Sequence, residues 1–283
     1  MSPIIAPATV DTGVTNGKVY HLDGNWNPGF KVGLGWGLGH DGWDILAEYT
    51  WYQSSKSKGT PTLTTAHPLY DAYWFVNNPI NPVVPTFESA SGKWKLNFNV
   101  LDVSLGRNMY LSPRLEMRPH FGLKATWQKQ VLHADFFNFA HTTDISMKNR
   151  SKNWGIGTRA GFETAWHFSR EFSLVGDVAF SGVWEEFKVK RVDNTTTLAT
   201  GVAVNNVSMT SHVWGLRPVL EWDLGFRWET WTCGDEWHFA IEADWESQTW
   251  FDQNQFLRLA GSAEQNGGDL SMQGLTLKFR VDF

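Results

Sequence analysis

Several features that would place this 283-residue protein in a common class are missing from its sequence. Cys233 is the only cysteine, which excludes an internal disulfide and a zinc site built from cysteines. No stretch reaches the roughly 18 to 20 consecutive apolar residues of a membrane-spanning helix, and no convincing amphipathic helix is visible. The N-terminus, MSPIIAPATVDTG, lacks the basic region and apolar run of a secretory signal. The net charge of −5 gives no argument for nucleic acid as a partner.

Aromatic residues in alternating patterns are what the sequence has in abundance, with 17 Trp and 19 Phe. In HVWGLRPVLEWDLGFRW, residues 212–228, every second residue from Trp214 to Trp228 is apolar. The residues between them are mostly charged or glycine, and a period of two predicts a strand with two different faces. The pattern recurs in eight further segments, at 30–38, 43–51, 94–105, 115–127, 154–166, 172–180, 237–245 and 275–283.

The length of these segments indicates strands that cross a membrane. Most hold the alternation for about 10 to 15 residues, against about 5 or 6 in soluble sheets, and a tilted strand needs about 9 to 11 to span a bilayer. We therefore expect the apolar face to meet lipid and the charged face to line a lumen. The alternative is a soluble barrel with its apolar face inside, but so many Trp and Phe side chains would not fit there. Tryptophans near the ends of the apolar faces predict two aromatic girdles, formed by Trp43, Trp51, Trp127, Trp154, Trp166, Trp214, Trp228, Trp237 and Trp245.

The connections between segments alternate in length. Short ones are expected at 40–42, 106–113, 168–171 and 229–236, and long polar ones at 53–92, 129–152, 190–211 and 252–269. In outer-membrane barrels the long loops are extracellular and the short turns periplasmic. The apolar alternation changes phase between Val100 and Leu101, for which a β-bulge would account.

The segments together predict one all-β domain over residues 1–283, a transmembrane antiparallel up-and-down β-barrel with nine strands visible. Even strand counts are usual and an open sheet edge in lipid is costly, so we expect about ten strands when the barrel is intact. The upstream strand and a signal peptide would then be missing from this sequence. Alternatively, GKVYHLD at 17–23 supplies or extends a strand. The terminal Phe283 resembles the signal that the outer-membrane assembly machinery reads.

Charged residues that alternate with the apolar ones are the predicted lumen lining. They are Lys31, Glu48, Lys95, Glu116, Arg118, His120, Lys124, Arg159, Glu163, Asp177, Arg217, Glu221, Asp223, Arg227, Glu242, Asp244, Lys278 and Arg280. These side chains could tune ion passage through an open pore. They could equally fill a narrow barrel with ion pairs, because a barrel of about eight strands is nearly filled by its own side chains. Both interpretations stay open at this point.

Catalytic interpretations of the same residues are weaker. Neighbouring acids could suggest a glycosidase-like carboxylate pair or a cation site, namely Glu221, Asp223, Glu242, Asp244 and Glu246. Arg217 and Arg227 lie beside them, so ion pairing is the favoured role. The histidines at 120, 167 and 238 could join a serine in lipase-type chemistry, but no Gly-x-Ser-x-Gly motif supports this. We therefore expect no enzyme activity, no catalytic residues, no cofactor and no metal.

The segment NWNPGFKVGLGWGLGHDGWDILAEYTWY, residues 25–52, resembles the Legionella major outer membrane protein family, which also occurs in Chlamydia-like bacteria. The order PGF, VGLG, HDGWD, YTW carries the resemblance, and a weaker likeness continues to the C-terminus. The resemblance implies a signal and an earlier aromatic-rich strand, which agrees with the expectation that both are missing from this sequence.

The resemblance implies a porin-like outer-membrane channel for passive diffusion of ions or small solutes. The alternative is a surface-exposed structural or adhesion barrel with a blocked lumen. The expected partners are the lipid bilayer, the outer-membrane assembly machinery and small solutes or ions, with a host surface added in the adhesion alternative.

Overall fold

The computed structural model describes residues 6–7, 9–11, 14–16, 22, 26–39, 41–62, 69–70, 86–139, 142–232, 236–260 and 262–283. Within these ranges the chain forms β-strands and no helix, so none of these residues belongs to a helix capable of spanning a membrane. The short strands are β1 (Ala6–Pro7), β2 (Thr9–Asp11), β3 (Val14–Asn16), β6 (Leu69–Tyr70), β7 (Thr86–Phe87), β9 (Met109–Ser112), β15 (Phe256–Ala260) and β16 (Ser262–Asn266). The long strands are β4 (Gly29–Gly37), β5 (Trp43–Gly59), β8 (Ser89–Arg107), β10 (Leu115–Phe137), β11 (Thr143–His167), β12 (Phe172–Thr197), β13 (Val202–Thr232), β14 (Trp237–Trp250) and β17 (Leu270–Asp282).

The long strands form one antiparallel sheet in the order β17-β14-β13-β12-β11-β10-β8-β5-β4, with β9 paired to β10. Long strands that follow one another in sequence are neighbours in this sheet, which is an up-and-down arrangement. Each of the nine segments with apolar alternation lies in one of these strands, except for the last residue of the first and of the last segment, Leu38 and Phe283. The all-β, antiparallel part of the predicted fold is therefore confirmed.

The expected closure into a barrel is not seen among the described residues, because no backbone pairing joins the edge strands β4 and β17. The edges nevertheless come close to each other. Lys31 of β4 contacts Glu246 of β14 at 2.7 Å between Nζ and Oε1, and the rings of Trp26 and Trp245 lie 6.0 Å apart. The sheet thus curls until side chains at one end touch β14, the strand next to the opposite edge. The prediction that GKVYHLD takes part in a strand lies outside the described residues, apart from Leu22.

Two of the predicted long loops are wrong. Strands β10 and β11 pair without interruption from Leu115↔Trp166 to Phe137↔Asp144, so residues 129–152 form the end of a hairpin. Likewise β12 and β13 continue to Thr197↔Val202, which leaves a short turn within 190–211. These strand ends carry polar residues on much of their surface, so they lack the apolar stripe that reveals a strand in sequence, although their backbones pair in the same way.

The predicted β-bulge in β8 is also wrong. The register of β8 against β5 and β10 runs without a shift through Val100 and Leu101. Instead the apolar residues lie on the inner face in the first half of the strand and on the outer face in the second half. Trp94, Leu96, Phe98 and Val100 are buried on the inner face, whereas Leu101 lies on the outer face and is 37% exposed.

Candidate functional site on the inner face of the sheet

The sheet has two faces with different environments. On one side of the sheet, alternate residues are buried or contact one another across the enclosed space, and we call this side the inner face. The opposite side is the outer face. In β12, for example, Ser181 and Glu185 on the inner face are buried, whereas Phe180 and Trp184 on the outer face are more than half exposed. The alternation of the sequence therefore fixes which residues can meet inside the curled sheet.

The structure places seventeen of the predicted lumen residues on the inner face. They are Lys31, Glu48, Glu116, Arg118, His120, Lys124, Arg159, Glu163, Asp177, Arg217, Glu221, Asp223, Arg227, Glu242, Asp244, Lys278 and Arg280. The expectation for Lys95 is wrong, because it alternates with buried Trp94 and Leu96 and is exposed on the outer face. That these residues line a lumen which conducts stays a prediction.

A central cluster of charges crosses the enclosed space. The ammonium group of Lys124, 1% exposed, donates hydrogen bonds to Asp102 at 2.9 Å and to Glu221 at 3.0 Å. Lys124 lies on β10 and Glu221 on β13, three strands further along the sheet, so this ion pair bridges the interior. Arg159 donates to Glu221 at 3.0 Å and to Asp177 at 3.2 Å. Each carboxylate is thus paired by at least one cation.

Two further clusters lie between the central one and the short turns. Lys278 contacts Glu242 at 2.9 Å, Asp223 at 3.2 Å and Asp244 at 2.6 Å. Four groups from strands β13, β14 and β17 thereby hold one another in a local network.

In the second of these clusters, Arg118 pairs with Asp44 and, at 2.8 Å, with Glu163. A Cβ added to Gly106 would lie 2.5 Å from the Arg118 guanidinium, so the glycine makes room for this side chain. The seam between the two edges of the sheet is spanned by Lys31, which reaches Glu246 and, at 3.8 Å, Glu48.

Three acids in these clusters were not among the predicted lumen residues, namely Asp44, Asp102 and Glu246. Each alternates with apolar residues of its own strand, so the period of two is sufficient to place Asp44 and Glu246 on the inner face. Asp102 is harder to assign to a face, because the apolar alternation changes phase at Val100. Counting every second residue from the first half of β8 and from its second half gives opposite faces for Asp102.

Above the ion pairs, at the end opposite the short turns, part of the interior is an apolar cluster. Phe98 and Trp250 meet edge to face at 5.4 Å, and Leu96, Leu132 and Phe136 are buried around them. The Lys124 ammonium lies 5.6 Å from the Trp250 ring, so the apolar layer begins directly where the central cluster ends.

In the segment 252–269, which was expected to be a long extracellular loop, Gln253 and Leu257 contact the inner face. The carbonyl oxygen of Leu257 accepts hydrogen bonds from Asn149 at 2.8 Å and from Arg191 at 3.3 Å, and Leu257 is only 4% exposed. Gln253 donates to Glu185 at 3.0 Å. We call the described residues of this segment, 252–260 and 262–269, the inner segment, since Gln253 and Leu257 hold it against the inner surface of β11 and β12.

A buried ion pair supports the inner segment. Arg191 and Asp193 are both buried and meet at 2.7 Å. Burial raises the pKa of the Asp193 carboxyl, and the hydrogen bonds from Arg191 oppose that shift. Arg191 thus joins an acid of its own strand to the inner segment by donating to both.

The outer face carries all nine tryptophans predicted for the girdles. Near the short turns, the ring of Trp43 lies 6.4 Å from Phe121, and Trp237 lies 5.7 Å from Phe283. At the other level Trp127 and Trp154 are directly opposite each other in the register. The nine outward-facing tryptophans of the two levels together are Trp43, Trp51, Trp127, Trp154, Trp166, Trp214, Trp228, Trp237 and Trp245. Between the two levels the side chains of Leu216, Leu224 and Phe226 are each more than half exposed.

A sheet with an apolar exposed outer face and a charged inner face is the arrangement of a strand-built membrane protein. The family model described as Legionella pneumophila major outer membrane protein precursor matches residues 4–283. The chain belongs to this family, which implies a location in the bacterial outer membrane. No significant match was found among curated proteins or among solved structures.

Proposed function

We propose that the protein is a transmembrane β-barrel that acts as a narrow, porin-like channel for ions or small solutes. The observation that carries the proposal is the opposite chemistry of the two faces of the sheet. Leu224 and Phe226 are exposed on the outer face, whereas Asp223 and Arg227, their neighbours in sequence, take part in the ion pairs of the inner face. An apolar exterior suits lipid, and a charged interior suits water and ions.

The dimensions of the apolar band agree with a bilayer. Trp154 and Trp166 stand at its two ends on β11, twelve residues apart. A strand rises about 3.3 Å per residue, so the tryptophans are about 40 Å apart along the strand. With a tilt of about 45°, that length crosses about 28 Å of membrane, close to the roughly 30 Å of a hydrocarbon core.

Closure is the part of the barrel that this proposal adds. The edges β4 and β17 need hydrogen-bond partners, because unpaired backbone groups cost several kcal/mol each in lipid. The contacts of Lys31 with Glu246 and of Trp26 with Trp245 support a seam that closes, either directly or through one more strand. We also propose that the barrel has ten strands. The end that carries the inner segment is extracellular in this proposal.

The interior suggests a pore with a hydrated half and a sealed half. Towards the short turns, the side chains of Lys278 and Glu163 are 35% and 39% exposed. At the other end the apolar layer around Trp250 and the inner segment fill the enclosed space. Conduction then requires displacement of the inner segment.

A second candidate function is a structural or adhesion barrel with a permanently blocked lumen. The specific observation in its favour is the Lys124–Glu221 pair, which bridges the interior and is almost completely buried. Removing one partner of such a pair leaves an uncompensated buried charge, so the bridge is costly to open.

Solute flux into vesicles separates the two candidates. The test variant lacks residues 253–268, with Asp252 joined to Asp269 through two glycines. The ends are suited to this, since Trp250 pairs with Leu270 and the Asp252 amide donates to Asp269 at 2.8 Å. We expect faster uptake of small sugars and ions than in the full-length chain.

The matched control removes residues 196–203 at the tip of the β12–β13 hairpin, where Thr195 and Val204 stay paired. This deletion is away from the inner face and is expected to leave uptake unchanged. If neither the full-length chain nor the chain without residues 253–268 takes up solutes, although both are folded, the channel is contradicted and the blocked barrel is favoured.

A further inference from the structure

Basic residues form a patch on the outer face of β10–β12. Lys129 is directly opposite Lys152 in the register, and Lys152 is directly opposite Lys188. In the next outward row, Arg150 is opposite Lys190. We call these five residues the basic belt. The four lysines of the belt are exposed.

Like charges in these positions repel one another. Residues directly opposite in an antiparallel pair have Cβ atoms about 4.5–5.5 Å apart, and like charges there are destabilising. None of the five belt residues makes an ion pair with any residue that the structure describes. The nearest outward-facing acid, Glu186, accepts a hydrogen bond from Trp154 at 2.8 Å and lies 3.6 Å from His212. Among the described residues, the belt therefore has no paired counter-charge.

The belt begins where the apolar band ends. Lys129 and Lys152 are the next outward-facing residues after Trp127 and Trp154. In β12 the order is similar, since Trp184 is followed on the outer face by Glu186 and then Lys188. If the tryptophans lie at the boundary of the hydrocarbon core, the ammonium groups lie at the level of the lipid headgroups.

We infer that the basic belt binds the phosphate groups of anionic lipid in the outer leaflet of the outer membrane. Phosphate oxygens accept charge-assisted hydrogen bonds from Lys and Arg, and two rows of cations on adjacent strands can share one doubly phosphorylated headgroup. The binding would relieve the repulsion within the belt. The inference rests on the proposed membrane orientation and adds to it a specific lipid chemistry.

The test compares thermal stability of the full-length chain in two kinds of vesicle, phosphatidylcholine alone and phosphatidylcholine with lipid A. The variant is Lys152→Gln with Lys188→Gln, which removes two opposed charges. Wild type should gain stability from lipid A and the variant should gain little, with lipid A bound at least about tenfold more weakly. In phosphatidylcholine alone the variant should be at least as stable as wild type, because repulsion is removed.

The matched control is Arg114→Gln with Arg170→Gln, two exposed cations at the short turns, and it should behave as wild type. Equal stability of wild type with lipid A, with dephosphorylated lipid A and without lipid A would overturn the inference and leave the channel proposal standing. A variant that loses binding to heparin but keeps the lipid A effect would assign the belt to an extracellular polyanion instead. Failure of the wild type to insert into either vesicle would overturn both proposals.

Discussion

Replacing Lys124 with Met tests whether the interior is held by ion pairs that cross it. Lys124 is 1% exposed and has two carboxylate partners near 3 Å, Asp102 and Glu221. Each contact is worth about 5 kcal/mol of Coulomb energy at an effective dielectric constant of about 20. Desolvation of the ammonium group offsets most of that energy, and loss of one partner of a buried pair costs about 3–5 kcal/mol. We expect the free energy of unfolding to fall by that amount.

The assay is urea unfolding of the vesicle-inserted protein followed by tryptophan fluorescence. Lys95→Met makes the same chemical change at an exposed position of the outer face and is expected to stay within about 0.5 kcal/mol of wild type. Combining Lys124→Met with Glu221→Gln should show a coupling of about 0.5–3 kcal/mol, since the two groups are in contact. A loss below about 1 kcal/mol without coupling would refute an interior bridged by this pair.

Three further outcomes follow from the two faces of the sheet. Gly122→Ala should lower stability by about 1–3 kcal/mol in urea unfolding, because the new Cβ would overlap the backbone carbonyl group of Val103, whereas Gly37→Ala, with open space around it, should be neutral. Leu224→Lys should cost about 2–4 kcal/mol in vesicles, and Val202→Lys, at an equally exposed apolar position beyond the apolar band, should cost almost nothing; equal losses would contradict the position of the band. Phe283→Ala should reduce assembly in cells, measured as folded protein in the outer membrane, but not refolding into vesicles; normal assembly would remove the proposed signal.

The strands and the orientation of most side chains could be predicted from sequence because lipid and water impose opposite chemistry on alternate residues. That rule holds along β13, where Leu224 faces outward and Asp223 inward. It fails in the first half of β8, where Trp94 is buried inside and Lys95 is exposed outside. In that half of β8 the exterior is polar and the interior is apolar, so the same alternation of residues corresponds to the reverse orientation.

The interior could be predicted only in part. The alternation of residues predicts that Lys124 and Glu221 lie on the inner face. Their pairing could not be predicted, because it depends on how strongly the sheet curls. The contacts of the inner segment with the inner face could not be predicted, because its polar composition also suits a loop that is exposed to water. Its hydrogen bonds to Asn149 and Arg191 depend on side chains more than sixty residues away in sequence.

Single-channel recording in a planar bilayer tests the central claim most directly. The full-length chain should give discrete conductance steps of small, reproducible size, and the chain without residues 253–268 should give larger steps. The reversal potential in a salt gradient would report the sign preference of the inner charges. Silence from both proteins, once each is shown to be folded and inserted, would contradict a channel closed by its inner segment.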